Sequence, residues 1–206
     1  KNINFFTGVP DSLLKSICAY ITDNSLNNNH IIAANEGNAI SLGIGHYLAT
    51  NNLPLIYMQN SGLGNAINPL LSLADQEVYA IPMLLMIGWR GEPNIQDEPQ
   101  HKKQGRITIE LLKSMEIPFF VLSPDTSNEE SKLITQEAVN IAQSNNSPCA
   151  LLVRKGSFNN YTLKNDVTGN HTLYREQAMK LVVDCLDDKD IIVATTGGIS
   201  RELFEY

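Results

Sequence analysis

The sequence predicts an α/β fold: a doubly wound, six-stranded parallel sheet, followed by the start of a second α/β unit. Three observations predict it. Six short apolar runs recur over residues 4–155, and amphipathic or polar stretches separate them. Parallel strands require such crossovers, because the chain must return to the same end of the sheet before each new strand. Prolines fall at or beside the junctions (Pro10, Pro54, Pro82, Pro118, Pro124, Pro148), as expected of residues that interrupt regular hydrogen bonding.

In chain order, NFFTG (4–8) is the first strand and precedes a helix over 11–23. HIIAA (30–34) leads into a helix over 37–50; being apolar throughout, this strand is expected to be central. LPLIYMQ (53–59) precedes a helix over 64–74, and MLLMIGW (83–89) precedes a long connection and a helix over 106–115. FFVLS (119–123) precedes 127–144, and CALLVRK (149–155) closes the series. Residues 156–172 are polar, rich in Asn, Thr and Gly, and read as a linker. Beyond it, 173–186 reads as a helix, IIVAT (191–195) as a strand, and GGISRELFEY as the opening of another helix. The expected organisation is therefore a domain over 1–155, a linker over 156–172 and the start of a second domain over 173–206. The chain opens on Lys1 and closes within a helical pattern, as expected of a piece of a longer protein.

Composition narrows the function classes. Hydrophobic residues make up 43%, enough for a packed core. A net charge of -7 argues against nucleic acid or an anionic membrane as the main partner. An acidic protein that binds an acidic small molecule must concentrate its cations locally. Cys18, Cys149 and Cys185 are widely spaced with no CxxC pair, which reads as reduced thiols in a cytoplasmic protein. The longest apolar stretch, residues 79–89, is too short to span a bilayer, and no secretory signal pattern opens the chain.

Four strand-to-helix junctions are unusual, and all should lie on the carboxyl edge of the sheet, where α/β folds build their sites. TGVPDS (7–12) supplies Asp11 and Ser12, a helix N-cap or ligand contacts, two purposes that one residue could serve together. ANEGN (34–38) places Glu36 where a carboxylate complements a helix N-terminus; after a central strand it should also be partly buried and need a polar partner. QNSGLGNA (59–66) is a polar, glycine-rich turn containing Ser61, Gly62 and Asn65, suited equally to a tight turn or to a ligand facing the helix amides. GWRGEPNIQDEPQHKKQGR (88–106) joins strand to helix through a connection far longer than usual. It carries Arg90, His101, Lys102, Lys103, Gln104 and Arg106, with some cations offset by Glu92, Asp97 and Glu98 in a solvated loop. Arg90 stands apart because it directly follows a strand end, and arginine suits bidentate oxyanion binding. No Cys/His metal spacing, Walker motif, GxSxG elbow or HExxH occurs, so no metal ligand is assigned.

Taken together, FFTGVPDSLLK, AANEGNAISLGIGHYLA, MQNSGLGNAINPLLSL and the WRGEP…DEPQH…QGR loop resemble the phosphonopyruvate decarboxylases, which use thiamine diphosphate. SGLGN and WRG also resemble the sulfopyruvate decarboxylases. The resemblance implies that residues 1–155 are the pyrimidine-binding (PYR) domain and that a pyrophosphate-binding (PP) domain begins near residue 173. The family's GDG…N signature, which holds Mg2+ and the diphosphate, is absent from these residues; the metal's ligands are expected in further sequence. It implies a homo-oligomer, at least a dimer, with the site between subunits. Glu36 would bond N1′ of the aminopyrimidine and promote loss of the thiazolium C2 proton. Ser61, Gly62 and Asn65 would help hold the cofactor. Asp11, Ser12, Arg90, His101 and Gln104 would bind the 2-oxo acid substrate.

The activity so implied is decarboxylation of 3-phosphonopyruvate to phosphonoacetaldehyde and carbon dioxide, in phosphonate biosynthesis. Sulfopyruvate is the alternative substrate. A non-catalytic α/β metabolite-binding module would account for the sheet and the glycine turn, but it leaves Glu36 and the Arg90 loop without a purpose.

Overall fold

The computed structural model describes residues 3–26, 28–164, 172–195 and 197–205. The chain divides into two compact units, Lys1–Lys164 and Asn165–Tyr206.

The first unit is built on six parallel strands: β1 (Phe6–Gly8), β2 (His30–Ile32), β3 (Leu55–Gln59), β4 (Met83–Gly88), β5 (Phe119–Leu122) and β6 (Pro148–Val153). Their order across the sheet is β2-β1-β3-β4-β6-β5. The connections from β1 and β3 leave toward opposite sides of the sheet. This opens a crevice beyond their carboxyl ends, the place where ligands bind in open α/β sheets. Every predicted strand over 4–155 is present; five lie within their expected stretches, and β6 begins one residue early, at Pro148.

Alternation along the strands sorts the core into two layers. Ile56, Met58, Leu85 and Ile87 pack on one face with α2 (Glu36–Thr50), α3 (Leu63–Pro69) and α4 (Pro99–Ser114). Leu55, Tyr57, Leu84 and Met86 face the other way, with α1 (Lys15–Asn24) and α5 (Asn128–Asn145). Helix α3 gives way at Pro69 to a wider turn over Leu70–Ala74. Proline has no N–H to continue the α-helical ladder, so the regular bonding shifts there.

Three expectations for the first unit require correction. HIIAA is not central: β2 is an edge strand, and Ile32 is 62% exposed. An apolar run on an edge reads the same as one in the middle, because sequence does not say which strands flank it. The long connection after β4 is shorter than expected, since α4 begins at Pro99 rather than near 106. Proline is tolerated in a first helical turn, where its missing N–H would have no partner anyway. The first turn, PQHKK, is polar enough to hide the helix from a search for apolar periodicity. Residues 156–164 of the expected linker belong to the first unit. There Tyr161 Oη donates to Asp23 Oδ2 at 3.0 Å, and the Lys164 amide donates to the same oxygen at 2.9 Å. Residues 165–171 of that linker lie outside the described residues.

In the second unit α6 (Arg175–Val183) and α7 (Gly198–Phe204) are joined by the Arg175–Glu202 ion pair. The strand expected over 191–195 does not form; Ile191 and Val193 are 90% and 89% exposed. A strand satisfies its backbone groups only through a neighbour, and no strand pairs with this segment among the described residues.

Two glycines make the packing testable. A Cβ on Gly8 would lie 2.0 Å from the Tyr57 carbonyl oxygen, whereas one on Gly45 in α2 meets nothing within 4 Å. Gly8→Ala should cost about 1–3 kcal/mol through overpacking. Gly45→Ala should gain about 1 kcal/mol from helix propensity. Urea unfolding of the two variants checks both signs; a tolerated Gly8→Ala would contradict the close β1–β3 approach.

Candidate functional site

Hydrogen bonds and close contacts tie the four carboxyl-edge junctions to one another. Helix α2 starts at Glu36, with Asn35 as its N-cap accepting from the Asn38 amide at 2.9 Å. Because Asn35 caps the helix, the Glu36 side chain is free to turn to the next loop. Glu36 Oε2 accepts from Asn65 Nδ2 at 2.8 Å. The side chain lies over bare backbone: a Cβ on Gly62 would fall 2.4 Å from Glu36 Cγ. No protein donor reaches Oε1 among the described residues. Glu36 is half-buried, and its strand is an edge strand, so the expected burial beneath a central strand is not what positions it. Ser61, also half-buried, accepts from Gln59 Nε2 at 2.5 Å.

Asn60 is the buried link between the third junction and the fourth. Its Oδ1 accepts from the Arg90 amide at 3.1 Å, and its Nδ2 donates to the Arg90 carbonyl at 2.8 Å and to Thr108 Oγ1 at 2.9 Å. The backbone on both sides of Arg90 is thus held by one side chain that is 2% exposed.

The guanidinium is held as well. Arg90 Nε donates to Asp97 Oδ2 at 2.8 Å, Nη2 to Asp97 Oδ1 at 2.5 Å, and Nη1 to Ser12 Oγ at 2.9 Å. Asp97 also accepts from the amides of Gly91 and Glu98, each at 2.8 Å, which closes the loop on itself. The hydrogen bond from Arg90 holds the Asp97 carboxyl well below the usual carboxylate range. Asp97 was expected to offset cations in a solvated loop; it is instead a largely buried partner of Arg90 itself. Glu92 pairs with Arg154.

Asp11 caps the short turn at the first junction, since its carboxylate accepts from the Leu13 amide at 2.9 Å. It also lies against Gly88 at the end of β4, where a Cβ would come within 2.5 Å of Oδ2. Burial pushes its pKa up, partly opposed by that amide and by Arg90.

His101 and Gln104 sit one turn apart at the start of α4, both half-buried, and neither side chain bonds Arg90 among the described residues. Their stretch packs through its backbone. Trp89 Nε1 donates to the Gly105 carbonyl at 2.9 Å. A Cβ on Gly91 would lie 1.9 Å from the His101 carbonyl, and one on Gly105 would lie 1.7 Å from that of Gly91. The WRG and QGR segments are therefore two halves of one contact. A polar groove of about 770 Å3 opens beside it, lined by Arg90, Gln96, Asp97, Glu98, Lys102 and Lys155. Sequence reasoning did not single out Asn60 or assign Asp97 to Arg90; the only signal was their place inside the two loops already marked.

Residues 1–128 match the family described as thiamine pyrophosphate enzyme, N-terminal TPP binding domain. The chain belongs to the thiamine pyrophosphate enzymes. Among them it is 37% identical over 153 residues to sulfopyruvate decarboxylase subunit alpha of Methanococcus maripaludis, covering 74% of this chain and 87% of that one. It is 30% identical over 212 residues to phosphonopyruvate decarboxylase of Streptomyces viridochromogenes, covering 96% of this chain and 52% of that one. The chain therefore spans about half the length of that Streptomyces relative. By family it is a carboxy-lyase chain, a thiamine-dependent decarboxylase of the phosphonopyruvate/sulfopyruvate type. Benzoylformate decarboxylase from Polynucleobacter necessarius shares the fold, with a TM-score of 0.56 at 17% identity over 88% of this chain and 33% of that one.

The residues present fit the pyrimidine end of thiamine diphosphate. A carboxylate with one oxygen fixed by Asn65 and the other without a protein donor among the described residues lies over Gly62, where a Cβ would displace it. Among the described residues, no group of three or more His, Cys, Asp or Glu is placed to hold a metal ion, and no helix is long and apolar enough to cross a membrane.

Asp97 gives a pH test. Its folded-state pKa is depressed, so the stability it contributes is present above the unfolded value of about 4 and is lost as pH falls through the folded one. The wild type should therefore be more stable than Asp97→Asn at pH 7, and the gap should shrink steadily below about pH 4. Urea midpoints measured across that range check it; a gap independent of pH would contradict the ion pair.

Proposed function

We propose that this chain carries the pyrimidine-binding part of a decarboxylase whose substrate is 3-phosphonopyruvate, giving phosphonoacetaldehyde and carbon dioxide. The observation that carries the reading is the joint placement of Glu36 and Arg90 on one carboxyl edge, with Asn65 fixing the first and Asn60, Asp97 and Ser12 fixing the second.

Thiamine diphosphate, when bound, supplies the carbon nucleophile for the 2-oxo carbon and the cationic ring that takes up the electrons left by carbon dioxide. The work of this chain is positional and protonic. Glu36 Oε1 is open to a ring nitrogen, and a carboxylate there holds a proton against that nitrogen while Asn65 keeps the group from rotating. Ser61 and Gly62 form the floor of the same turn. Arg90 receives the substrate's acid group, with His101 and Gln104 beside it on α4, and Asp11 and Ser12 approach the reacting end from the first junction. A carboxyl whose pKa is raised by burial, as in Asp11, is a frequent mark of a proton-handling site.

The remaining assignments extend the same reading. Residues 1–155 act as the PYR domain and the second unit as the start of the PP domain, whose further sequence supplies the Mg2+ ligands. A second subunit completes the site, for which the exposed Ile31 and Ile32 of β2 and the name "subunit alpha" of the Methanococcus relative are supporting observations. Sulfopyruvate is the second reading, supported by that relative's identity of 37% over 74% of this chain.

In the full-length enzyme, Glu36→Gln should lower kcat about 10²–10⁴-fold with the fold intact, since the acid–base contribution is lost. A carboxylate serving only the helix dipole would leave turnover near normal. Arg90→Ala should lower kcat/KM for 3-phosphonopyruvate roughly 10- to 150-fold and affect plain pyruvate far less. Equal losses on both substrates would move Arg90 to a role in the fold. A parallel comparison with sulfopyruvate decides the substrate.

A further inference from the structure

We propose that Asp97 is a positioning residue for recognition of the substrate's acid group: it grips the Arg90 guanidinium side-on and leaves the outer N–H groups facing the substrate. This rests on the reading of Arg90 as the acid-group contact.

The donor inventory of arginine leads to it. A guanidinium has five N–H groups: one on Nε and two on each terminal nitrogen. Asp97 takes the Nε–H and one on Nη2, and Ser12 takes one on Nη1. That leaves one N–H on each terminal nitrogen with no protein partner among the described residues, donors still available to an oxyanion. Asp97 cannot turn away, because the Gly91 and Glu98 amides hold the same two oxygens. Nor can the Arg90 backbone shift, because Asn60 bonds both its amide and its carbonyl. Side chain and backbone are thus fixed by separate anchors.

A bare ion pair makes a different demand. Were Asp97 there only to neutralise a cation, one contact between the charges would suffice and the backbone amides would be superfluous. Removing it would then expose a freer positive charge and tighten binding of an acidic substrate. The positioning role predicts the reverse sign.

The test is steady-state kinetics on the full-length enzyme, expressed per bound thiamine diphosphate, for wild type, Asp97→Asn, Arg90→Ala and the double variant. Asp97→Asn should raise KM for 3-phosphonopyruvate about tenfold, the equivalent of one charge-assisted hydrogen bond, with kcat within about twofold and with pyruvate little affected. In the Arg90→Ala background the same change should raise KM no further. Asp97→Glu, which keeps the carboxylate, should fall between wild type and Asp97→Asn, and it serves as the second variant if Asp97→Asn folds poorly. An unchanged or lower KM in Asp97→Asn, equal losses with pyruvate, or additive losses in the double variant would overturn the proposal while leaving Arg90 in place. If Arg90→Ala itself leaves KM unchanged, the reading of Arg90 fails, and this proposal falls with it.

Discussion

A buried amide side chain, Asn60, underlies the geometry of the candidate site. It stands just past β3 and bonds the main chain on both sides of Arg90, two residues past β4, and the Thr108 hydroxyl on α4. Parallel pairing of β3 with β4 brings these strand ends level, with Gln59 opposite Gly88, so the bonds form without distortion of the sheet. Everything beyond depends on that alignment. The loop after Arg90 closes onto Asp97, and α4 packs through the bare backbone of Gly91 and Gly105. An unpartnered buried amide would cost far more than a made bond returns, so a change at Asn60 would disturb two loops and a helix together.

The same logic explains the glycines of the site. Gly62, Gly88, Gly91 and Gly105 each stand where another group occupies the space of a Cβ: the Glu36 side chain, the Asp11 carboxylate, the His101 carbonyl and the Gly91 carbonyl. Two of these contacts seat carboxylates and two seat backbone. A glycine-rich loop here is less a cradle for a phosphate than a means of bringing acidic side chains and main chain into contact.

Much of this was legible in the sequence, and the reasons differ by element. The long strands β3, β4 and β6 are buried on both faces, and their unbroken apolar runs announced them. The edge position of β2 was not legible, because HIIAA is as apolar as an interior strand, and only the neighbours decide. The start of α4 was hidden by a first turn of polar residues after Pro99. The strand expected over 191–195 failed because local pattern does not supply a pairing partner. At the site, Glu36 and Arg90 stood out by chemistry and by their place after strands. Asn60 did not, because a hydrogen bond spanning 30 residues leaves no local pattern, and Asp97, seven residues from Arg90, was one of several carboxylates in the same loop.

The account's central claim is that Glu36, held by Asn65, promotes loss of the proton from the reactive carbon of bound thiamine diphosphate. The most direct measurement is the rate at which that C2 proton exchanges with deuterium in the full-length enzyme, followed by NMR after rapid acid quench. The account predicts that Glu36→Gln slows the exchange about 10²–10⁴-fold while the cofactor stays bound. An exchange rate equal to wild type, with cofactor bound, would contradict it.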